Sequence, residues 1–182
     1  TPDGLIVRVI ADSYNGIPFG SPNDCIPDGR GGIYFTDSRV RDENPRQPGT
    51  AVYQVDSAGT VRPVTGWNEI NVPNGCVVSA DGKTFFLSGS NENTIWMFDI
   101  GGYGSLANKR PFAALIPPEF PHDKDRRRGA ADGLALDREG NLWAATNFGI
   151  TVFDRRGDFL GNVWFPFSPS HCVFGGNDLS VL

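Results

Sequence analysis

Cysteine is scarce in this 182-residue chain: there are three, too few for a disulfide framework, and none forms the close pair of a metal finger. No run of about 18 apolar residues occurs, so no membrane-spanning helix is expected. No basic segment leads into an apolar one in the manner of a secretory leader. The chain starts at Thr1, so an earlier leader stays open, and with it a cytoplasmic or an exported location. Clustered positive charge is missing as well. The net charge is -5, and Arg126-Arg127-Arg128 follows the mixed stretch His122-Asp123-Lys124-Asp125, which reads as a solvated loop. Neither nucleic acid nor a membrane is an expected partner. Long amphipathic helical patterns are absent. So is a nucleophile elbow, which argues against a serine triad. Gly101-Gly102-Tyr103-Gly104 opens no helix and carries no Lys-Ser/Thr, so it does not cradle a phosphate.

Turn formers and short β-prone runs are abundant instead. Gly contributes 23 residues and Pro 14, which suits many tight turns between short strands. Ile33-Tyr34-Phe35-Thr36, Ala51-Val52-Tyr53-Gln54-Val55, Thr94-Ile95-Trp96-Met97-Phe98 and Ile150-Thr151-Val152-Phe153 are rich in β-branched and aromatic residues. Gly, Asp, Asn and Ser bound them, as they bound strands. The fold class is all-β.

Four segments align without a gap: NDCIPDGRGGIY from Asn23, NGCVVSADGKTF from Asn74, DGLALDREGNLW from Asp132 and HCVFGGNDLSVL from His171. Each begins with a polar residue, runs into a short apolar strand, turns (Arg30-Gly31, Asp81-Gly82, Glu139-Gly140, Asp178-Leu179) and enters a second strand. A third strand then ends in Asp56, Asp99 or Asp154. Four strands in about 40 to 50 residues make a propeller blade. The expected blades span 23–66, 73–115 and 131–165, with the start of a last blade at 170–182 and the outer strand of a preceding blade in 1–12. A ring of about three and a half blades leaves open edges. The chain therefore reads as a fragment, a remnant or a half-propeller, with N-terminal blades or a complementary chain completing the ring.

The first strand of each blade lines the central channel of a propeller. Equivalent positions at its start then form a polar ring of Asn23, Asn74, Asp132 and His171. Oxygen acceptors converging on one axis suit a hard divalent cation. Such a cation polarises a carbonyl, and an Asp beside it is placed to take a proton from water. Asn and Asp also start turns by bonding their own backbone, so each position has a plain structural use too. Cys25 and Cys76 occupy equivalent repeat positions and read as packing residues.

The segments SPNDCIPDGRGGIYFTDS from Ser21, VPNGCVVSADGKTFF from Val72 and ADGLALDREGNLWAAT from Ala131 resemble, in order, the three signature segments of the senescence marker protein/gluconolactonase/luciferin-regenerating family. The tail SHCVFGGNDLSVL is similar to that family's last-blade segment. The resemblance covers nearly the whole chain. It implies a six-bladed propeller with one divalent cation in the channel, commonly Ca2+, with Zn2+, Mn2+ or Mg2+ as alternatives. It implies Asn74 and Asp132 as metal ligands, Asp132 as general base, and Asn23 beside the metal in contact with substrate or metal-bound water. Family members hydrolyse lactones, and related propellers cleave organophosphate esters.

Three departures accompany the resemblance. The family's first-blade Glu ligand has no counterpart. Ser21 stands where sugar lactonases often carry Arg. His171 replaces the usual Asn and joins Asn23 as a substrate-side residue. The leading expectation is a metal-dependent hydrolase of a lactone or related ester. The alternatives are a non-catalytic propeller for binding or scaffolding, and an organophosphate-ester hydrolase. Phe148, Trp164, Phe165 and Phe167 suit either an apolar mouth or packing between blades. The insertion from Pro117 to Ala130 suits either a lid or a plain loop.

Overall fold

The computed structural model describes residues 8–115, 130–176 and 180–182. It contains three four-stranded antiparallel sheets, each built from consecutive strands. The first comprises β3 (Pro22–Pro27), β4 (Ile33–Asp37), β5 (Ala51–Val55) and β6 (Val61–Pro63). The second comprises β7 (Pro73–Val78), β8 (Thr84–Gly89), β9 (Thr94–Ile100) and β10 (Leu106–Ala114). The third comprises β11 (Ala131–Leu136), β12 (Leu142–Thr146), β13 (Gly149–Phe153) and β14 (Phe159–Val163). A small hairpin, β1 (Ser13–Tyr14) with β2 (Ile17–Pro18), precedes them. The only helical turn among the described residues is a 3-10 turn at Gly102–Gly104, so no helix there could cross a membrane.

Aspartates tie the hairpin turns locally. Asp28 Oδ1 accepts from the Arg30 and Gly32 amides at 2.7 and 2.8 Å. Asp137 Oδ1 accepts from the Asn141 amide at 2.8 Å. Asp56 and Asp154 do the same between the third and fourth strands. A short carboxylate that bonds backbone amides two to four residues on substitutes for a turn's missing ladder bonds. Gly82 and Gly140 complete two of these turns at φ +68° and +80°, where an L side chain is strained.

The sheets stack face to face, because their middle strands are apolar on both faces. β5 and β13 are buried along their whole length. Tyr34 and Val52 of the first sheet pack on Cys76, Phe85, Leu87 and Phe98 of the second. Val77, Phe86, Ile95 and Ala113 of the second pack on Leu134, Leu142, Ala144 and Phe153 of the third. The core thus lies between successive sheets, and the first strands meet in turn, β3 against β7 and β7 against β11. This is the blade arrangement of a propeller.

Two expected elements lie partly outside the described residues. Residues 8–12 form no strand, and residues 1–7 lie outside the described residues. The fourth repeat has no ladder over its described residues: Gly175 and Val181 form a single antiparallel bridge, and the Asp178-Leu179 turn lies outside them. The Pro117 to Ala130 insertion, apart from Ala130, also lies outside the described residues.

Candidate functional site

The three repeats share an irregularity at the positions that begin them. Between β3 and β4, Pro22 pairs with Asp37 and Cys25 with Phe35, so Asn23 and Asp24 oppose Thr36 alone. Between β7 and β8, Asn74 and Gly75 oppose Ser88; between β11 and β12, Asp132 and Gly133 oppose Ala145. Each is a bulge of two residues against one. Bulges twist a strand and re-aim side chains, and they recur beside functional sites. Hydroxyls opposite the bulge stabilise its backbone. Thr36 Oγ1 accepts from the Asp24 amide at 3.0 Å, and Ser88 Oγ lies 3.3 Å from the Gly75 carbonyl.

Glycine follows the ring residue in two bulges because the next sheet comes close. A Cβ on Gly75 would overlap the Asp132 carbonyl oxygen, and one on Gly133 would overlap the His171 ring. In the first bulge Asp24 takes the glycine's place. Its Oδ2 accepts from the Cys76 amide of the second sheet at 2.9 Å. Its Oδ1 lies 3.6 Å from His171 Nε2. His171 Nδ1 donates to the Cys172 carbonyl at 2.8 Å. Asp24 therefore touches the second and the fourth repeats from the first.

Asn74 and Asp132 line one cavity of about 250 Å³, together with Ser90, Thr146, Asn147 and Ser170. Asn74 is 7 % exposed. Its Nδ2 donates to Ser90 Oγ at 2.7 Å, while its Oδ1 is buried with no hydrogen-bond partner among the described residues. Burial pushes the Asp132 carboxyl upward. The Asn74 side chain and the charge of His171 oppose that shift, Asp24 reinforces it, and the net direction is up. The Asp132 carbonyl accepts from Ser88 Oγ at 2.8 Å, which holds β11 on the second sheet.

The other two ring residues stand apart from this cavity. Asn23 is exposed and, with Asp24 and Cys25, lines a second cavity of about 220 Å³ against Phe19 and Phe35. The His171 side chain is 48 % exposed and lines a third, apolar cavity of about 620 Å³ with Phe165 and Phe167. Pro169 borders both this third cavity and that of Asp132. Phe148 is buried, whereas Trp164, Phe165 and Phe167 are exposed. Two cysteines are inert for a plain reason: burial pushes the Cys76 thiol well up and the Cys172 thiol up to about 11.

Sequence reasoning passed over Asp24, Ser88 and Ser90. The repeat alignment contained a signal for one of them. Asp24 occupies the column of Gly75 and Gly133, and a charged residue in a column of glycines marks a changed contact. Ser90 corresponds to Ser38 only in the structure, where their amides bond the carbonyls of Val72 and Ser21, just before the two Pro-Asn pairs; in the gapless repeat Gly89 stands opposite Ser38. In the first repeat the serine hydroxyl turns instead to the Pro73 carbonyl, at 2.5 Å.

The family model for the SMP-30/Gluconolactonase/LRE-like region matches residues 2–182. The chain belongs to this family. It is 29% identical over 181 residues to a gluconolactonase of Zymomonas mobilis, covering 92% of this chain and 48% of that one. It is 30% identical over 147 residues to the lactonase drp35 of Staphylococcus aureus, covering 79% and 42%. A solved gluconolactonase of Xanthomonas campestris superposes with a TM-score of 0.75 at 29% identity, covering 90% of this chain and 54% of that one. The calcium-binding protein regucalcin of Agrobacterium tumefaciens shares the fold, with a TM-score of 0.67 at 18% identity, covering 87% and 50%. The chain thus spans about half the length of the relatives it matches, and as a family member it is a partial propeller of the six-bladed type.

The donor set fits a hard cation in one respect. A buried, unpartnered amide oxygen beside a carboxylate is a costly arrangement for a protein to keep unless something else satisfies it. Among the described residues no three His, Cys, Asp or Glu side chains form a metal-binding group.

Proposed function

We propose that this chain carries the hydrolytic centre of a lactonase or related esterase, with Asn74 and Asp132 holding a divalent cation, Ca2+ in the first instance. The observation that supports this reading is the buried, unpartnered Asn74 Oδ1 in one cavity with Asp132, in a family whose relatives include a gluconolactonase and a lactonase. A bound divalent cation supplies positive charge to the oxygen that becomes anionic as the carbonyl is attacked.

The protein residues do the rest. Asp132, a stronger base for its burial, takes a proton from the attacking water. The water oxygen bonds the carbonyl carbon, the ring C–O bond breaks, and the proton passes to the departing alkoxide, leaving a hydroxy acid. Asn74 keeps its amide plane fixed through Ser90. Asn23 and His171 face the substrate from the flanking cavities.

The test is a pH-stat screen of lactones and simple esters, with and without calcium, on the parent and on Asp132→Ala. Turnover that needs calcium and vanishes in the variant, with an unchanged circular dichroism spectrum, is the expected result. Activity retained in Asp132→Ala sinks the assignment. A second reading is a non-catalytic binding propeller, since a fold does not by itself fix a function. It predicts that calcium raises the melting temperature while no lactone or ester in the panel is turned over.

A further inference from the structure

The structure assigns Ser90 as the positioning residue that selects which end of the Asn74 amide faces the cation site. This inference rests on the metal site proposed above and adds a residue to it.

An asparagine ligand has a difficulty that an aspartate does not. Its two ends are nearly the same shape, but one is an acceptor oxygen and the other a donor nitrogen. A cation takes only the oxygen. In an unsupported side chain the amide is free to turn over. The Asp132 carboxylate accepts from the Asn74 side chain in the orientation present, and a second group must hold the nitrogen once that carboxylate turns to a cation.

Ser90 Oγ does this at 2.7 Å, and Asn74 Oδ1 is left as the unpartnered buried atom. The hydroxyl is itself held by backbone. The Ser90 amide donates to the Val72 carbonyl at 2.9 Å, across the end of the hairpin that contains Asn74. Val72 stands at φ +53°, a left-handed conformation that is strained for a β-branched residue. Pro73 follows it, and the Ser38 hydroxyl of the first sheet bonds the Pro73 carbonyl. Two residues away on the strand side, Glu92 Oε1 accepts from the Asn71 amide at 2.7 Å, closing the same turn. The strained Val72 turn thus sets Ser90 opposite Asn74, and Ser90 sets the amide.

Orientation and mere structural support make different predictions, and Asn74→Asp separates them. A carboxylate has two equivalent oxygens, so turning it over changes nothing. Calcium affinity is read by titration calorimetry on four proteins: the parent, Ser90→Ala, Asn74→Asp and the double variant. Ser90→Ala is expected to weaken calcium binding by about ten- to a hundredfold, the usual range for a residue that holds a ligand in place. In the Asn74→Asp background the same change is expected to cost less than about threefold. Equal losses in both backgrounds would show that Ser90 merely supports the fold and overturn the inference. A second readout needs no metal. The Asn74 side-chain NH2 proton pair, followed by NMR, is expected to be widely split and slow to exchange in the parent and to collapse toward free-amide values in Ser90→Ala. If calcium does not bind the parent, the metal reading fails. If calcium binds but the Asn74 amide signals are the same in Ser90→Ala, the Ser90 inference alone fails.

Discussion

Gly75 meets Asp132 at a backbone contact: a Cβ on Gly75 would overlap the Asp132 carbonyl oxygen, which also accepts a hydrogen bond from Ser88. The second and third sheets are therefore as close as two backbones permit at the point where their Asn and Asp line one cavity. Gly75→Ala must push β11 outward. It is expected to cost about 1–3 kcal/mol in chemical denaturation, the range for overpacking a tight contact. Calcium affinity should fall with it, because Asn74 and Asp132 would separate. A variant that melts and binds calcium like the parent would show that the contact yields freely.

Asp24 is expected to matter as an acceptor more than as a charge for stability. Asp24→Ala leaves the Cys76 amide without a partner, at a cost of about 1–3 kcal/mol. Asp24→Asn keeps an oxygen in that place and should recover most of the loss. Urea melts of the two variants decide it: equal destabilisation would mean that the carboxylate's charge, and not its hydrogen bond, joins the sheets.

Chelation gives a test of metal linkage that needs no substrate. At a calcium concentration a hundred times its dissociation constant, binding adds about 2.7 kcal/mol to the folded state. For a chain of this size that is a rise in Tm of about 5–10 °C, reversed by EDTA. The shift should disappear in Asp132→Ala. An EDTA effect that persists in that variant would place the ion elsewhere.

The acid limb of stability should trace in part to Asp28. Burial pushes this carboxyl up, but the Arg30 amide, Gln54, the Gly32 amide and the Arg30 charge together hold it below the usual range. The unfolded chain then binds the proton more readily, so the carboxylate stabilises the fold above about pH 4 and that contribution fades as pH falls through the lowered value. Asp28→Asn should destabilise the protein at neutral pH and flatten the loss of Tm between about pH 5 and 3. Asp37 has the opposite sign: burial outweighs the Gly20 and Ser21 amides and raises it, so its carboxylate favours folding least at high pH. An unchanged acid slope in Asp28→Asn would remove Asp28 from the account.

Much of the fold was legible because its causes are local. β-branched and aromatic runs form strands wherever they stand, and Asp-Gly punctuation turns them, so β4, β5, β9 and β13 lie where the composition put them. Four gapless copies of one hairpin pointed to stacked sheets for a similar reason. A strand apolar on both faces must be covered on both.

The pairing of Asn74 with Asp132 was also written in the repeat, since equivalent positions on adjacent sheets face one axis. The separation of Asn23 and His171 into other cavities was not. It depends on how far each sheet stands from the next, and that distance is set by Asp24 in one gap and by bare glycine in the others. Sequence by itself determined strands, turns, repeat and the polar residue that begins each copy, because each is a preference of a few neighbouring residues. Only the tertiary structure decided that Ser90 holds the Asn74 amide and that Asp24 bridges to Cys76, because those bonds join atoms that chain spacing leaves free and sheet packing brings together.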